Sequence, residues 1–310
     1  MPLDPMAAVL LQQMIAAGMP PLNELSALDA RVAAQGFRAL AGEPEAVGDV
    51  TDRAIPGPRG EIPVRVYTPA GSAGSPLPCL VYYHGGGWVL GDIEGLDTIC
   101  RAVANRAACK VVSVEYRLAP EHKFPIPLDD CFAALTWVAT NAVRIGDPAR
   151  LAVGGDSSGG NLAAAVALRA RDEHGPPLRF QLLVYPVTHH NFNTGSYVAN
   201  GENYLLTRAM MEWFWNHYLN EPEEGQHPLA SPLLADDLSG LPPAFVLTAE
   251  FDPLCDEGEA YAARLREAGV TVVHKRYPGQ IHAFWQMPGV FPAALEAADD
   301  AAAQLRAAFA

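Results

Sequence analysis

Three residues far apart in the chain, Ser157, Asp252 and His282, have the types and the order needed to turn a hydroxyl into a nucleophile. A serine hydroxyl is a weak nucleophile at neutral pH. It needs a base within hydrogen-bond reach, and the base needs an acid to hold its orientation. Ser157 lies in Gly155-Asp156-Ser157-Ser158-Gly159, which fits the pattern Gly-x-Ser-x-Gly. Small-residue turns are common, so the pattern alone is weak. Its setting strengthens it: the short apolar run 151–154 precedes it, and the helix-forming run 161–169 follows. Strand, tight turn and helix together hold such a serine exposed. Glycines belong on so sharp a turn because neighbouring Cβ atoms would have no room.

Asp252 follows the strand-like run 244–248, and His282 follows the run 270–277. Each therefore falls just past the end of a strand, where sites of α/β sheets are built. Glu250 and Asp256 compete with Asp252 for the role of acid. Glu250 lies nearer the strand end and could act as buried support. Asp256 and Glu257 look like first-turn helix acids that favour the helix dipole. Acyl transfer also needs donors for a developing oxyanion. The run Tyr83-His84-Gly85-Gly86-Gly87-Trp88 follows the strand 79–83 and exposes backbone N–H groups without side chains in the way. The expected donors are the N–H groups of Gly85, Gly86 and Gly87, with that of Ser158 beside them. The sequence leaves open which two glycines point inward. His84 is read as holding this loop by hydrogen bonding.

The elements that must position these residues can be read from periodicity. Two helices are expected at 6–17 and 26–41, followed by strands at 46–55 and 62–68 that pair antiparallel at a sheet edge. The pattern changes after the small-residue run 71–75. Near-continuous apolar runs at 79–83, 111–115, 151–154, 180–185, 244–248 and 270–277 then alternate with helical segments. That alternation means a mostly parallel sheet covered on both faces. It breaks once, between Pro186 and Pro243, where a Met- and Trp-rich helix is expected over 208–218. Such an apolar insertion is a candidate lid.

Taken together, HGGGW at 84–88, YRLAPEHKFP at 116–125, GGDSSGGNLAA at 154–164, DPLCDEG at 252–258 and GQIHAF at 279–284 resemble the hormone-sensitive-lipase-like family of α/β-hydrolases, the bacterial type IV carboxylesterases. The resemblance covers nearly the whole chain. It implies an α/β-hydrolase fold, with a mostly parallel central sheet flanked by helices and a helical cap. The cap would comprise residues 1–45 and the insertion 187–218, and the core 46–186 and 219–310. It implies Ser157 as nucleophile, His282 as base and Asp252 as its orienter, in a carboxylesterase acting on short- to medium-chain esters. Ser158, Ala283 and Cys255 depart from the commoner alanine, glycine and arginine, and none removes a catalytic group. The same family includes amide and carbamate hydrolysis. Plant hormone receptors that resemble it have lost the histidine, so His282 argues for an enzyme. Trp88, Met210 and Phe214 are expected to line the substrate pocket. Arg117 and Glu121 are expected to pair within the loop 116–125.

Composition bounds the remaining choices. The chain has 310 residues, half of them hydrophobic and 18% charged, with mean hydropathy near zero. That suits one large globular unit. A net charge of −14 argues against nucleic-acid binding, which rests on a basic footprint. Five cysteines without Cys-x-x-Cys spacing suggest neither a disulfide framework nor a zinc site, and His189-His190 stand alone. No metal or cofactor is expected. The segment 1–21 lacks a basic region before its apolar stretch, so neither a signal peptide nor a membrane span is expected, and a cytoplasmic location follows. The expected partner is a small-molecule ester, with a homodimer compatible with the chain.

Overall fold

A computed structural model describes residues 1–72, 76–141 and 146–310. Residues 73–75, within the small-residue run noted above, and 142–145 lie outside the described residues. Eight strands form one sheet in the order β1-β2-β4-β3-β5-β6-β7-β8. They are β1 (Asp49–Gly57), β2 (Gly60–Thr68), β3 (Cys79–Tyr83), β4 (Lys110–Val114), β5 (Leu151–Asp156), β6 (Phe180–Val184), β7 (Ala244–Phe251) and β8 (Val272–Ile281). β1 and β2 pair antiparallel at the edge, and β2 meets β4 antiparallel. From β4 through β8 every pairing is parallel.

The central strands β3, β5 and β6 are buried along their whole length, as a sheet covered on both faces requires. On one face α3 (Asp97–Ala107) packs on the C-terminal α9 (Pro292–Phe309). Their buried residues Ile99, Val103, Ala298 and Leu305 join one core cluster. The other face carries α4 (Ile126–Thr140), α5 (Ser158–Asp172) and α8 (Cys255–Glu267), whose Leu128, Leu162 and Leu265 join a second. Between β6 and β7 the described chain makes no sheet strand. It contains the short α6 (Gly195–Asn200) and α7 (Arg208–Tyr218) instead.

The N-terminal helices differ in detail from the pattern reading. α1 (Pro5–Ala16) starts because the Asp4 carboxylate accepts from the Met6 N–H at 2.7 Å with Pro5 in the first turn. α2 (Ala27–Ala34) is capped by Ser26 and is shorter than expected, giving way to a 3₁₀ turn over Gln35–Ala41. Gly36 lies in that tightened stretch, where a glycine weakens an α-helix. β8 runs past the expected end at 277 through Pro278 and Gly279 to Ile281. A proline is tolerated there because β8 is the sheet edge, and the register shifts between Ala249 and Phe251 of β7 absorb the irregularity.

Arg31 fastens α2 to the core. Its Nε donates to the Val89 carbonyl at 2.8 Å, one Nη to the Ala119 carbonyl at 2.7 Å, and the guanidinium grips both Glu121 oxygens. The expected pair of Arg117 with Glu121 is therefore corrected. Arg117 turns inward to the buried Asp130 at 2.6 Å, where the missing solvent makes a charge partner more necessary than it is at exposed Glu121. The Arg31 hydrogen bonds hold the Glu121 carboxyl down to about 2. A carboxyl depressed by folding stabilises the folded state above its ordinary value of about 4.3, and that contribution is lost as pH falls through the folded value. Hydrogen exchange in α2, corrected for intrinsic rates and read against α5, should therefore quicken as pH falls from about 5 toward 2. Arg31→Met should make α2 exchange fast throughout. Exchange in the Arg31→Met protein as slow as in wild type would show that Arg31 is not the fastener.

Candidate active site

Ser157, His282 and Asp252 meet at the carboxyl edge of the sheet. Ser157 follows β5 directly, with φ 55° and ψ −120°, a conformation that turns its side chain out of the strand before α5 begins. His282 Nε2 lies 2.9 Å from Ser157 Oγ, and His282 Nδ1 lies 2.7 Å from Asp252 Oδ2. The other Asp252 oxygen accepts from the Leu254 N–H at 2.9 Å. Asp252 is fully buried and the other two nearly so. A hydroxyl, an imidazole and a carboxylate linked in this way can move a proton from serine to histidine while the carboxylate fixes the ring's orientation.

Neither rival acid reaches the histidine through a hydrogen bond. Glu250 accepts from the Gly279 N–H at 2.7 Å, and Asp256 accepts from the Ser196 N–H at 2.8 Å. Glu257 is buried and takes the N–H groups of Thr188 and His189, pinning the chain just after β6 to α8. Burial pushes its carboxyl well up. A first-turn acid gave no sequence signal for that clamp, because a helix face shows its depth only once packed.

The glycine loop after β3 lies beside Ser157 because β3 and β5 are neighbours, with Tyr83 opposite Gly155. The approach of α5 to this strand is close. A Cβ on Gly159 would sit 2.0 Å from the Tyr83 carbonyl oxygen. His84 Nδ1 lies 2.8 Å from the Gly85 carbonyl, its ring stacks on Tyr116 at 4.3 Å, and the Tyr116 hydroxyl donates to the His84 carbonyl. The three glycines are not equivalent. The Gly85 N–H already donates to Asp156 at 3.2 Å, whereas those of Gly86 and Gly87 have no partner among the described residues.

Above the serine lies a cavity of about 490 Å³. It is lined by Leu11 and Met14 of α1, by Leu206, Met210 and Phe214, and by Ser157 and His282. Of the three residues expected at a substrate pocket, Met210 and Phe214 line this cavity. Trp88 does not. It is fully buried behind the loop, stacked on Tyr218 at 4.2 Å with the rings 2° apart, and tilted against Trp215. Its positive φ of 62° turns the chain under α7, so a large apolar side chain that the motif sets beside the site packs into the core instead. Among the described residues no group of three or more His, Cys, Asp or Glu is arranged to hold a metal, and no helix is long and apolar enough to cross a membrane.

With this geometry, similarity to known proteins becomes informative. A family model described as the alpha/beta hydrolase fold matches residues 80–286. The carboxylic ester hydrolase LipN of Mycobacterium tuberculosis is 48% identical over 76% of this chain and 64% of its own length, so this chain spans less than two thirds of that relative. An arylesterase of Saccharolobus solfataricus is 39% identical over 93% of this chain and 94% of its own. An ester hydrolase from the metagenome of Lake Arreo, solved with a bipyridine phosphonate derivative, superposes with TM-score 0.96 at 46% identity, covering 99% of each chain. The chain belongs to the hormone-sensitive-lipase-like family of α/β-hydrolases, the bacterial carboxylesterases. Within this family of carboxylic ester hydrolases, the packing of α5 on β3 demands a glycine at 159. Gly159→Ala should destabilise the fold by about 3 kcal/mol or more, because a backbone carbonyl cannot move aside as a side-chain tip can. Urea unfolding measures this, and a midpoint matching wild type would mean that β3 and α5 tolerate wider spacing.

Proposed function

We propose that the protein hydrolyses short- to medium-chain acyl esters by a two-step acyl transfer on Ser157. The observation that carries this reading is the continuous hydrogen-bonded chain from Ser157 Oγ through His282 to Asp252. Ser157 Oγ attacks the ester carbonyl carbon while its proton passes to His282 Nε2. The carbonyl oxygen takes the negative charge, stabilised by the free N–H groups of Gly86 and Gly87 and that of Ser158. Gly85 drops out of the expected donor set because its N–H is committed to Asp156. As the carbon–oxygen bond breaks, the leaving alcohol takes the proton from His282. Water then adds to the acyl-enzyme in the same way, and the acid departs with Ser157 restored.

Residues 1–45 and 187–218 act as a cap, a role supported by the residues of both segments that line the cavity. A bounded apolar cavity favours acyl groups that fit it. Each methylene that enters adds about 0.8 kcal/mol of burial until the space is full. A cytoplasmic setting fits the five cysteines, all buried and unpaired, since a reducing compartment keeps thiols free.

Ser157→Ala or His282→Ala should lower kcat about 10³-fold or more on a chromogenic acyl ester. Asp252→Asn should cost somewhat less, and Glu250→Gln little. A greater loss from Glu250→Gln than from Asp252→Asn would reassign the acid. A p-nitrophenyl alkylphosphonate should phosphonylate Ser157 Oγ stoichiometrically with release of p-nitrophenolate, and labelling elsewhere with full loss of activity would reject the nucleophile.

In a series of p-nitrophenyl esters, kcat/KM should climb with acyl length, peak, and fall. Phe214→Ala should move the peak to longer chains. A steady climb to very long chains in the wild type would mean an open site and a lipase instead.

A further inference from the structure

Asp156, the residue before the serine, is fully buried, yet its carboxylate takes no part in the proton path described above. A buried carboxylate is costly unless donors surround it. Three surround this one, two from β3 and the loop that follows it and one from the turn after His282. Tyr82 of β3 donates its hydroxyl to Oδ1 at 3.1 Å, and the Gly85 N–H donates to the same oxygen at 3.2 Å. Gln286 donates its Nε2 to Oδ2 from the turn that follows His282. The fit is tight: a Cβ on Gly85 would fall 2.4 Å from Asp156 Oδ2 and 3.0 Å from Gln286 Nε2. Burial pushes the Asp156 carboxyl up, while the Gln286 and Tyr82 hydrogen bonds and nearby His84 and His282 act the other way.

We propose that Gln286, acting through Asp156, is a positioning residue that ties the histidine-bearing turn to the oxyanion loop. The inference rests on the acyl-transfer reading given above. Gly85 is the first residue of the glycine loop, and Asp156 holds its N–H. That bond consumes one donor and sets the direction in which the chain enters Gly86 and Gly87. Gln286 in turn holds the carboxylate from a turn that begins two residues after His282. One carboxylate therefore sets the spacing between three catalytic parts: the serine next to it in sequence, the oxyanion donors and the base. If Gln286 is lost, the carboxylate keeps Tyr82 and Gly85 but is free to tilt, and the glycine loop tilts with it. The loss should appear where the oxyanion forms and not where the substrate merely rests.

Gln286→Leu tests this. The side chain is half-buried and at the cavity edge, so the variant should fold, whereas Asp156→Ala empties a buried charged site. In Gln286→Leu, kcat for a short-chain ester should fall about 10- to 100-fold with KM nearly unchanged, less than the loss of a whole oxyanion donor. The sharper readout is a pair of inhibitors with one alkyl chain. An alkyl trifluoromethyl ketone is attacked by Ser157 Oγ, the proton passing to His282 and the ketone oxygen becoming the oxyanion. The matching secondary alcohol can be bound but not attacked. Gln286→Leu should weaken the ketone by about the same factor as kcat and leave the alcohol unchanged. Asp156→Asn keeps an acceptor for Gly85, and Gln286 can turn its amide to accept from the new donor. That variant should retain most of the kcat that Gln286→Leu loses. Equal weakening of ketone and alcohol, or wild-type kcat in Gln286→Leu, would overturn the positioning role while Ser157→Ala remained inactive. Full turnover by Ser157→Ala would overturn the acyl-transfer reading itself, and the positioning role with it.

Discussion

The close contact between α5 and the end of β3 is the constraint on which the site depends. With no side chain on Gly159, the helix that begins at Ser158 comes down onto the Tyr83 carbonyl. Two loops that leave adjacent parallel strands then share one volume. The parallel pairing of β3 with β5 sets their heights, Tyr83 opposite Gly155, so the glycine loop and the serine leave the sheet together. The strained dihedrals of Ser157 are held by what surrounds them. Its N–H donates to Val184 of β6, its carbonyl accepts from Val187, and Asn161 ties the same region to Val187 and Ala230.

The remaining chemistry is brought to that point from the other half of the sheet. β7 ends on Phe251, immediately before Asp252, and β8 ends on Ile281, immediately before His282. Because β6, β7 and β8 lie in order beside β5, Asp252 and His282 reach Ser157 from one side and the glycine loop reaches it from the other. Segments that are not part of the sheet also line the cavity. Arg31 holds the N-terminal helices to the loops after β3 and β4, and Trp88, Trp215 and Tyr218 form a buried aromatic stack that seats α7 on the glycine loop. The sheet thus brings Ser157, Asp252 and His282 together, and the attached helices contribute lining to the cavity beside them.

Much of this was legible in the chain. The order of strands and helices, the antiparallel pair at the edge, the break before 244, and the placing of Ser157, Asp252 and His282 after strands all follow from local patterns. A period of apolar residues or a turn rich in glycine reports on its own few neighbours, and these features need nothing more. The apolar run stops at Tyr277 before Pro278-Gly279, and only the position of β8 at the sheet edge lets the strand continue through them to Ile281. Arg117 and Glu121 are near each other in sequence, but their partners, Asp130 and Arg31, come from separate helices.

By itself the sequence determined which residue types stand at the strand ends, and hence the family and the kind of reaction available. Tertiary structure alone decided which of them share a hydrogen bond. Gly85 is chemically indistinguishable from Gly86 and Gly87 in the motif, and it loses its donor only because Asp156 and Gln286 converge beneath it. Trp88 is motif-adjacent yet buried because α7 covers it. The physical reason is one of range. Backbone preferences and hydrophobic periodicity act over a few residues and are written in order along the chain. Hydrogen bonds and close packing act over a few ångströms, and the chain between Asp156 and Gln286, 130 positions apart, carries no local trace of the contact that joins them.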